Sequence, residues 1–413
     1  VQQSTDVLNT TVLVHRADRS ASSWWRTAAI CDLPGAFGAG DLDALNGSLE
    51  GIRKIGFDAI LIRTASADIS REQAELARLV NYAHSVNLKV LVRIVGAPDD
   101  QVTLPSETPP QVSLDEDRDR LIARTRLVVR AGVDGVDIGL IDDDPTLQHA
   151  ALRAEGFTQT IHMGLAELAE AESSTILTAE ATQENPEYFG RHLTEDWFHH
   201  LRDDALYGSP WDADAIQART RRAYQNRDPL GMTTAWRPSL VTWAENPRLR
   251  GSVPGAWEEN APQPRSAAMV AYSASLPGAV YLPYLSCGGS VHLAGFGKPR
   301  LRLGLGETPG EMFLRGLTAS ILHLRQDYEL GSASLAFIEG LSWAPPGIAV
   351  HLSGPLLVVL NTSAREVVVP PQHVPLVYSG GFLDSSSSGT NVEPERCAWF
   401  VAGRPNPVDP AHY

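Results

Sequence analysis

Short, almost continuously apolar runs alternate with helical patterns along most of this chain, and that alternation leaves few folds open. The run from Trp24 to Ile30, then Ala59-Ile60-Leu61-Ile62, Val90-Leu91-Val92-Arg93-Ile94-Val95, Gly135 to Ile141 and Thr175-Ile176-Leu177-Thr178-Ala179 read as strands. Between them, Glu72 to Val86 carries Ala74, Leu76, Ala77, Leu79, Val80 and Ala83 at helical spacing. Leu121 to Ala131 and Ala154 to Glu172 also read as helices. Strands apolar on both faces need cover on both faces, so the sheet is parallel with helices outside it. Repeated over a stretch longer than about 250 residues, this is the pattern of an α/β chain folded as a (β/α)8 TIM barrel.

Near residue 330 the helices stop. Gly347 to Leu352, Pro355 to Asn361, Glu366 to Val369 and Ala398 to Val401 are β-rich runs separated by turn residues. They predict a small C-terminal antiparallel β-sandwich, dividing the chain into a barrel over 1–329 and a sandwich over 330–413. Asp384 to Thr390 reads as a flexible loop within it.

Composition narrows the function classes. The 413 residues are 43% hydrophobic and 20% charged, ordinary for a globular protein, with a net charge of −15. An acidic chain lacks the basic surface that displaces counterions from nucleic acid. Cys31, Cys287 and Cys397 give neither a disulfide framework nor metal-ligand spacing, and no cofactor motif is present in the sequence. His199-His200 and Asp203-Asp204 read as part of a helical segment, which would send the two imidazoles to different faces. The polar start, Gln2 to Asp6, reads as a trimmed or mature terminus with room for an upstream anchor.

Several motifs, in order, resemble those of the α-amylase family. Gly40-Asp41-Leu42 through Leu49 and Ile55-Gly56-Phe57-Asp58-Ala59-Ile60 resemble its first helix and second strand. Ala83-His84, Leu88-Lys89-Val90-Leu91-Val92, Leu276-Pro277-Gly278, Leu322-His323-Leu324-Arg325 and Leu357-Val358-Val359-Leu360-Asn361 resemble later stretches. Ala131-Gly132-Val133-Asp134-Gly135-Val136-Asp137-Ile138-Gly139 is similar to the family's fourth-strand G-V-D-G-F-R-x-D. The resemblance implies a retaining glycosidase site, yet its residues are largely replaced. Gly139 stands at the nucleophile position and Asp137 at that of the arginine. Arg93 stands at the third-strand aspartate, while Thr178-Ala179-Glu180 keeps the acid/base position. Glu245 falls at the transition-state aspartate, within Trp243-Ala244-Glu245-Asn246-Pro247-Arg248. The insertion that forms a cleft wall in active members shrinks here to Asp99–Asp119, so that extra domain is missing.

Residues two apart on a strand share a face, which places Asp137 with Gly139 and Ile141 and lets Asp137 pair with Arg93 from the neighbouring strand. Retaining catalysis needs two carboxyl groups about 5–5.5 Å apart, and Glu180 has lost its intended partner. The chain is also similar to ectodomains of amino-acid-transporter heavy chains, in Trp24-Trp25-Arg26-Thr27-Ala28 and Ala131 to Gly135. The reading that follows is a catalytically silent amylase-fold protein that binds a protein partner, a membrane transporter on that likeness. Two others stay open. One is a divergent α-glycosidase using Glu180 with Asp137 or Glu245. The other is a carbohydrate-binding protein without turnover, with Trp211, Trp236, Trp243 and Trp257 as candidate platforms.

Overall fold

A computed structural model describes residues 9–17, 23–33, 37–64, 69–94, 114–140, 175–181, 183, 186–238, 255–258, 261–283, 290–294, 298–302, 309–381 and 383–402. After an outlying strand β1 (Thr10–His15), eight parallel strands follow: β2 (Ala29–Asp32), β3 (Ala59–Arg63), β4 (Lys89–Arg93), β5 (Gly135–Leu140), β6 (Ile176–Glu180), β7 (His200–Arg202), β8 (Ala235–Trp236) and β9 (Ala279–Pro283). Their hydrogen-bonded order is β7-β6-β5-β4-β3-β2-β9-β8, and Cα atoms of β7 and β8 approach within 8 Å, completing the ring. This is the expected TIM barrel.

The outer helices follow from sequence period. In α1 (Ala39–Ile55), Leu42, Leu45, Leu49, Ile52 and Ile55 recur at three- and four-residue steps and are all buried. Gly56 ends the helix with φ 113°, a left-handed turn that donates its N–H to the Arg53 carbonyl. In α2 (Gln73–Ser85), Leu76, Leu79, Val80 and Ala83 are buried, the stripe expected from their spacing. The next helix, α3 (Leu114–Arg130), begins a turn or more earlier than its apolar periodicity indicated. The helix expected over Ala154–Glu172, the segment 95–113, Ile141 and Cys287 lie outside the described residues, whereas Cys31 and Cys397 are buried free thiols.

Inside the barrel, the N-terminal half is apolar: Ile30, Leu61, Leu91, Ile176, Ala235, Ala279 and Tyr281 cluster there, with Trp24 and Trp25 packed beneath them. Gly135 belongs to this layer. A Cβ there would stand 2.7 Å from Leu91 Cγ and 2.9 Å from Ile176 Cγ1, so the glycine reflects crowding in the lumen.

A β-rich unit closes the chain. The chain reaches it through α4 (Pro186–Glu195), α5 (Ala213–Arg227), α6 (Gln263–Ser275), a hairpin β10 (Ser290–Ala294) with β11 (Lys298–Arg302), and α7 (Pro309–Asp327), which belong to the barrel part. Then come β12 (Leu335–Glu339), β13 (Ile348–Ser353), β14 (Leu356–Asn361), β15 (Val367–Val369), β16 (His373–Tyr378), β17 (Ser385–Ser386), β18 (Gly389–Val392) and β19 (Arg396–Ala402). They form a six-stranded sheet, β1-β12-β13-β14-β19-β16, facing a three-stranded one, β15-β18-β17. Two details differ from the sequence reading. The leader strand β1 joins the C-terminal sheet through β12, and the Ser-rich segment expected as a loop is the β17–β18 hairpin.

Continuous apolarity in β14 and β19 has a simple cause. Leu357, Val359, Ala398 and Phe400 point to the small sheet, while Val358, Leu360, Cys397 and Trp399 point to the barrel's outer core. Both faces are buried, so no polar alternation appears. Gly135→Ala is expected to lower stability by about 1–3 kcal/mol by overpacking the lumen, read as a drop in the urea midpoint; an unchanged midpoint would contradict this packing.

Candidate functional site

Side chains from the C-terminal ends of six barrel strands converge in the lumen above the apolar layer. Strand register does much of the placing: Arg93 pairs with Asp137, Asp137 with Thr178, and Glu180 with Arg202. Asp137 is fully buried and surrounded. Arg93 Nε donates to its Oδ1 at 2.8 Å, the Gly139 N–H to the same atom at 3.0 Å. Its Oδ2 accepts from the Thr178 hydroxyl at 2.6 Å and from Arg202 Nη2 at 2.5 Å. Burial alone would raise the Asp137 pKa; the guanidiniums of Arg202 and Arg93 and the Thr178 hydroxyl outweigh it, holding the carboxyl well below the usual range.

Glu180 belongs to the same network. Arg202 Nε donates to its Oε1 at 3.1 Å, Arg93 Nη2 lies 3.9 Å from that oxygen, and Arg237 binds it too. Arg237 also donates to Asp32 Oδ2 at 3.1 Å. Burial pulls Arg237 down to about 10, with Asp32 opposing and Arg93 reinforcing the fall. Three guanidiniums thus meet three carboxylates, all six side chains buried, and Arg202 bridges Asp137 and Glu180.

Beneath this cluster a single chain of hydrogen bonds runs through the apolar layer. His200 Nε2 lies 2.8 Å from the Trp25 carbonyl, which only accepts, so Nε2 carries the hydrogen. Nδ1, 2.7 Å from the Tyr281 hydroxyl, then accepts from it. Burial pushes the His200 pKa down to about 3; the bond to Trp25 opposes this and Arg202 adds to it.

The Arg93–Asp137 pair expected from sequence is present, and Glu180 sits at the end of β6 facing that pair. The shared face expected for Asp137 and Gly139 is corrected, and its third member, Ile141, lies outside the described residues. Gly139 adopts φ 68°, and the register slips so that Leu140, not Gly139, lies beside Glu180. One extra residue bulges the strand, as glycine in a left-handed conformation permits. His199-His200 is not helical: His200 opens the sixth barrel strand, β7, and Asp203 in the turn after it binds buried Arg227 at 2.7 Å. Glu245 and Trp243 lie outside the described residues. Of the candidate platforms, Trp236 and Trp257 are almost fully buried, and Arg265 stacks over half-buried Trp211 at 5.0 Å.

Arg202, Arg237 and Asp32 were not singled out from sequence. The alternation His200-Leu201-Arg202 was the available signal, but a three-residue strand is too short for its period to be recognised. Among the described residues no group of three or more His, Cys, Asp or Glu could hold a metal, and no helix is long and apolar enough to cross a membrane.

No protein-family model and no curated protein matches the sequence. Solved structures do match in fold. A noncanonical maltogenic α-amylase, AmyB, from Thermotoga neapolitana is 13% identical, with TM-score 0.56 over 91% of this chain and 96% of that one. The Nostoc punctiforme debranching enzyme is 12% identical, with TM-score 0.52 over 94% and 99%. The catalytic module of the glycogen-degrading pneumococcal virulence factor SpuA is 8% identical, with TM-score 0.59 over 94% and 81%. The fold is therefore that of α-amylase-like glycoside hydrolases; identities this low establish architecture alone.

Two outcomes are expected here. Arg202→Met leaves Asp137 and Glu180 under-compensated and should cost about 3–5 kcal/mol, with part recovered in Arg202→Met/Asp137→Asn, as measured by denaturant unfolding; a neutral single variant would contradict the bridge. His200, and His351 under the sandwich, have folded values near 3 against 6.5 unfolded, so the unfolded chain binds more protons. Their stabilisation is complete above pH 6.5 and lost as pH falls toward about 3; Asp137, also depressed, adds loss below its unfolded 3.8. The unfolding midpoint should therefore fall steadily below pH 6.5, and His200→Gln should flatten that slope.

Proposed function

We propose that this chain is a catalytically silent protein of the α-amylase fold that works by binding a protein partner. The observation carrying the silent half is the Arg202 bridge, which neutralises Asp137 and Glu180 together inside the barrel mouth. Cations around a carboxyl favour its ionised form, the opposite of what a general acid requires. Gly139 offers no nucleophile, and its bulge takes the backbone out of the register an attacking group would need. Rearranging this network to expose either carboxylate would strip buried charges of their partners, which is strongly destabilising.

The partner half rests on the sequence likeness to transporter heavy-chain ectodomains, with a membrane transporter as the partner it favours. The outer strands of the six-stranded sheet add support: Leu13 on β1 and Val374 on β16 are 52% and 49% exposed, apolar groups of the kind that edge-to-edge association covers.

Incubation with nitrophenyl α-glucosides and maltooligosaccharides is expected to give release no faster than buffer. Hydrolysis by the purified protein that disappears in Glu180→Gln would overturn the silent reading and favour a divergent α-glycosidase.

A further inference from the structure

Charge is unevenly spread over this acidic chain, and the floor of the barrel runs against the average. The net charge is −15, yet two adjoining cavities of about 760 and 220 Å3 at the N-terminal ends of the strands are lined by five Lys or Arg and three Asp or Glu side chains. The cavities share Thr27, Gly331 and Ser332, and the larger lies within the range of small-molecule sites. We propose that this hollow binds a soluble small molecule bearing a phosphate group.

Pairing the charges on the wall leaves the positive ones over. Lys89 Nζ donates to Asp134 Oδ1 at 2.8 Å, Arg53 faces Asp58 at 3.5 Å, and the His15 ring meets Asp228 at 2.9 Å. Arg26 Nη1 donates instead to the Gly231 carbonyl at 3.3 Å and the Thr233 hydroxyl at 3.2 Å. Arg325, 3% exposed, donates to the carbonyls of Ala274 and Leu276, each at 2.7 Å, and of Gly278. Its Nε has no hydrogen-bond partner among the described residues. Among those residues, the guanidiniums of Arg16, Arg26 and Arg325 are also without a carboxylate partner, and on the wall only the exposed Glu329 carboxylate is left to oppose them.

Carbonyl dipoles solvate a buried guanidinium but carry no net charge, so the field of Arg325 reaches the cavity uncancelled. Burial pulls its pKa down to about 10, with Tyr224 and Asp58 opposing the fall, and an anion in the hollow would oppose it further. Three guanidiniums against one carboxylate call for a ligand near charge −2. A phosphate ester carries −1.5 to −2 at pH 7, and its oxygens match the arginine fork. A monocarboxylate would leave part of the excess uncancelled. The half-buried ring of Trp24 gives the organic part of the ligand an apolar surface. A chain of charge −15 is repelled by an anionic bilayer, which favours a soluble ligand over a lipid headgroup. None of these arginines belongs to the cluster in the mouth.

Arg16 is exposed and Arg26 partly so, and Arg16→Gln/Arg26→Gln removes two charges while leaving buried Arg325 in place. Calorimetric titration of the full chain at low ionic strength with inorganic phosphate, pyrophosphate and glycerol 3-phosphate is expected to show saturable binding of at least one, tighter than that of acetate. The double variant should weaken it about tenfold with an unchanged Tm. Glu329→Gln removes the opposing charge and should tighten it about threefold, a gain that lost folding could not produce. No heat from any of the three at about 10 mM, binding that survives the double variant, or binding weakened by Glu329→Gln would each overturn the proposal. So would acetate binding as tightly, or association with phosphatidic-acid vesicles without binding of any soluble probe.

Discussion

Arg202 carries the central constraint of this molecule: a guanidinium, 1% exposed, bonded at once to Asp137 and Glu180 in the barrel lumen. A buried carboxylate costs several kcal/mol unless it is paired and its lone pairs are satisfied. Here the arginines of β4, β7 and the end of β8 supply the pairing, and Thr178 and the Gly139 N–H fill what is left on Asp137. The barrel thereby has two interior layers of opposite character, an apolar floor and an ionic ceiling, joined by the Tyr281–His200–Trp25 chain of hydrogen bonds. The charged cluster is thus a packed interior that ties neighbouring strands together.

The same economy of buried polar groups ties barrel to sandwich. Within the barrel, Arg325 near the C-terminal end of α7 donates to the carbonyls of Ala274, Leu276 and Gly278 around the turn that starts β9, and the ties to the sandwich begin beside it. Ser275 bonds His351 of β13 at 2.9 Å, and that ring sits edge-on to Tyr272 of α6. Trp399 and its neighbours on β19 pack into the outer core of the barrel. The sheet is therefore one wall of the hydrophobic core as well as a separate layer, and protonating His351 disturbs both units together.

Period and composition made the architecture legible. Leu42 to Ile55, Leu76 to Ala83 and the apolar strands carry signals that burial alone enforces, and the structure follows them. The Arg93–Asp137 pair was legible because one residue type on each of two neighbouring strands was out of place for an apolar run. Arg202 and Arg237 were not, because the strands bearing or preceding them are three and two residues long and no periodicity survives at that length. The Gly139 bulge was also hidden: alternation assumes a regular strand, and a single positive φ shifts every residue beyond it. Trp236 and Trp257, candidate sugar platforms by residue type, are core residues, while Trp24 of the entry motif lines a cavity.

Whether the barrel mouth is silent depends on the state of its two carboxylates. A crystal structure of the protein after prolonged exposure to an activated 2-deoxy-2-fluoro-α-glucosyl fluoride reads that state directly. An unmodified mouth is expected, with Arg202 still bonded to both Asp137 and Glu180. A glycosyl group covalently attached to either carboxylate, with Arg202 swung away, would contradict it.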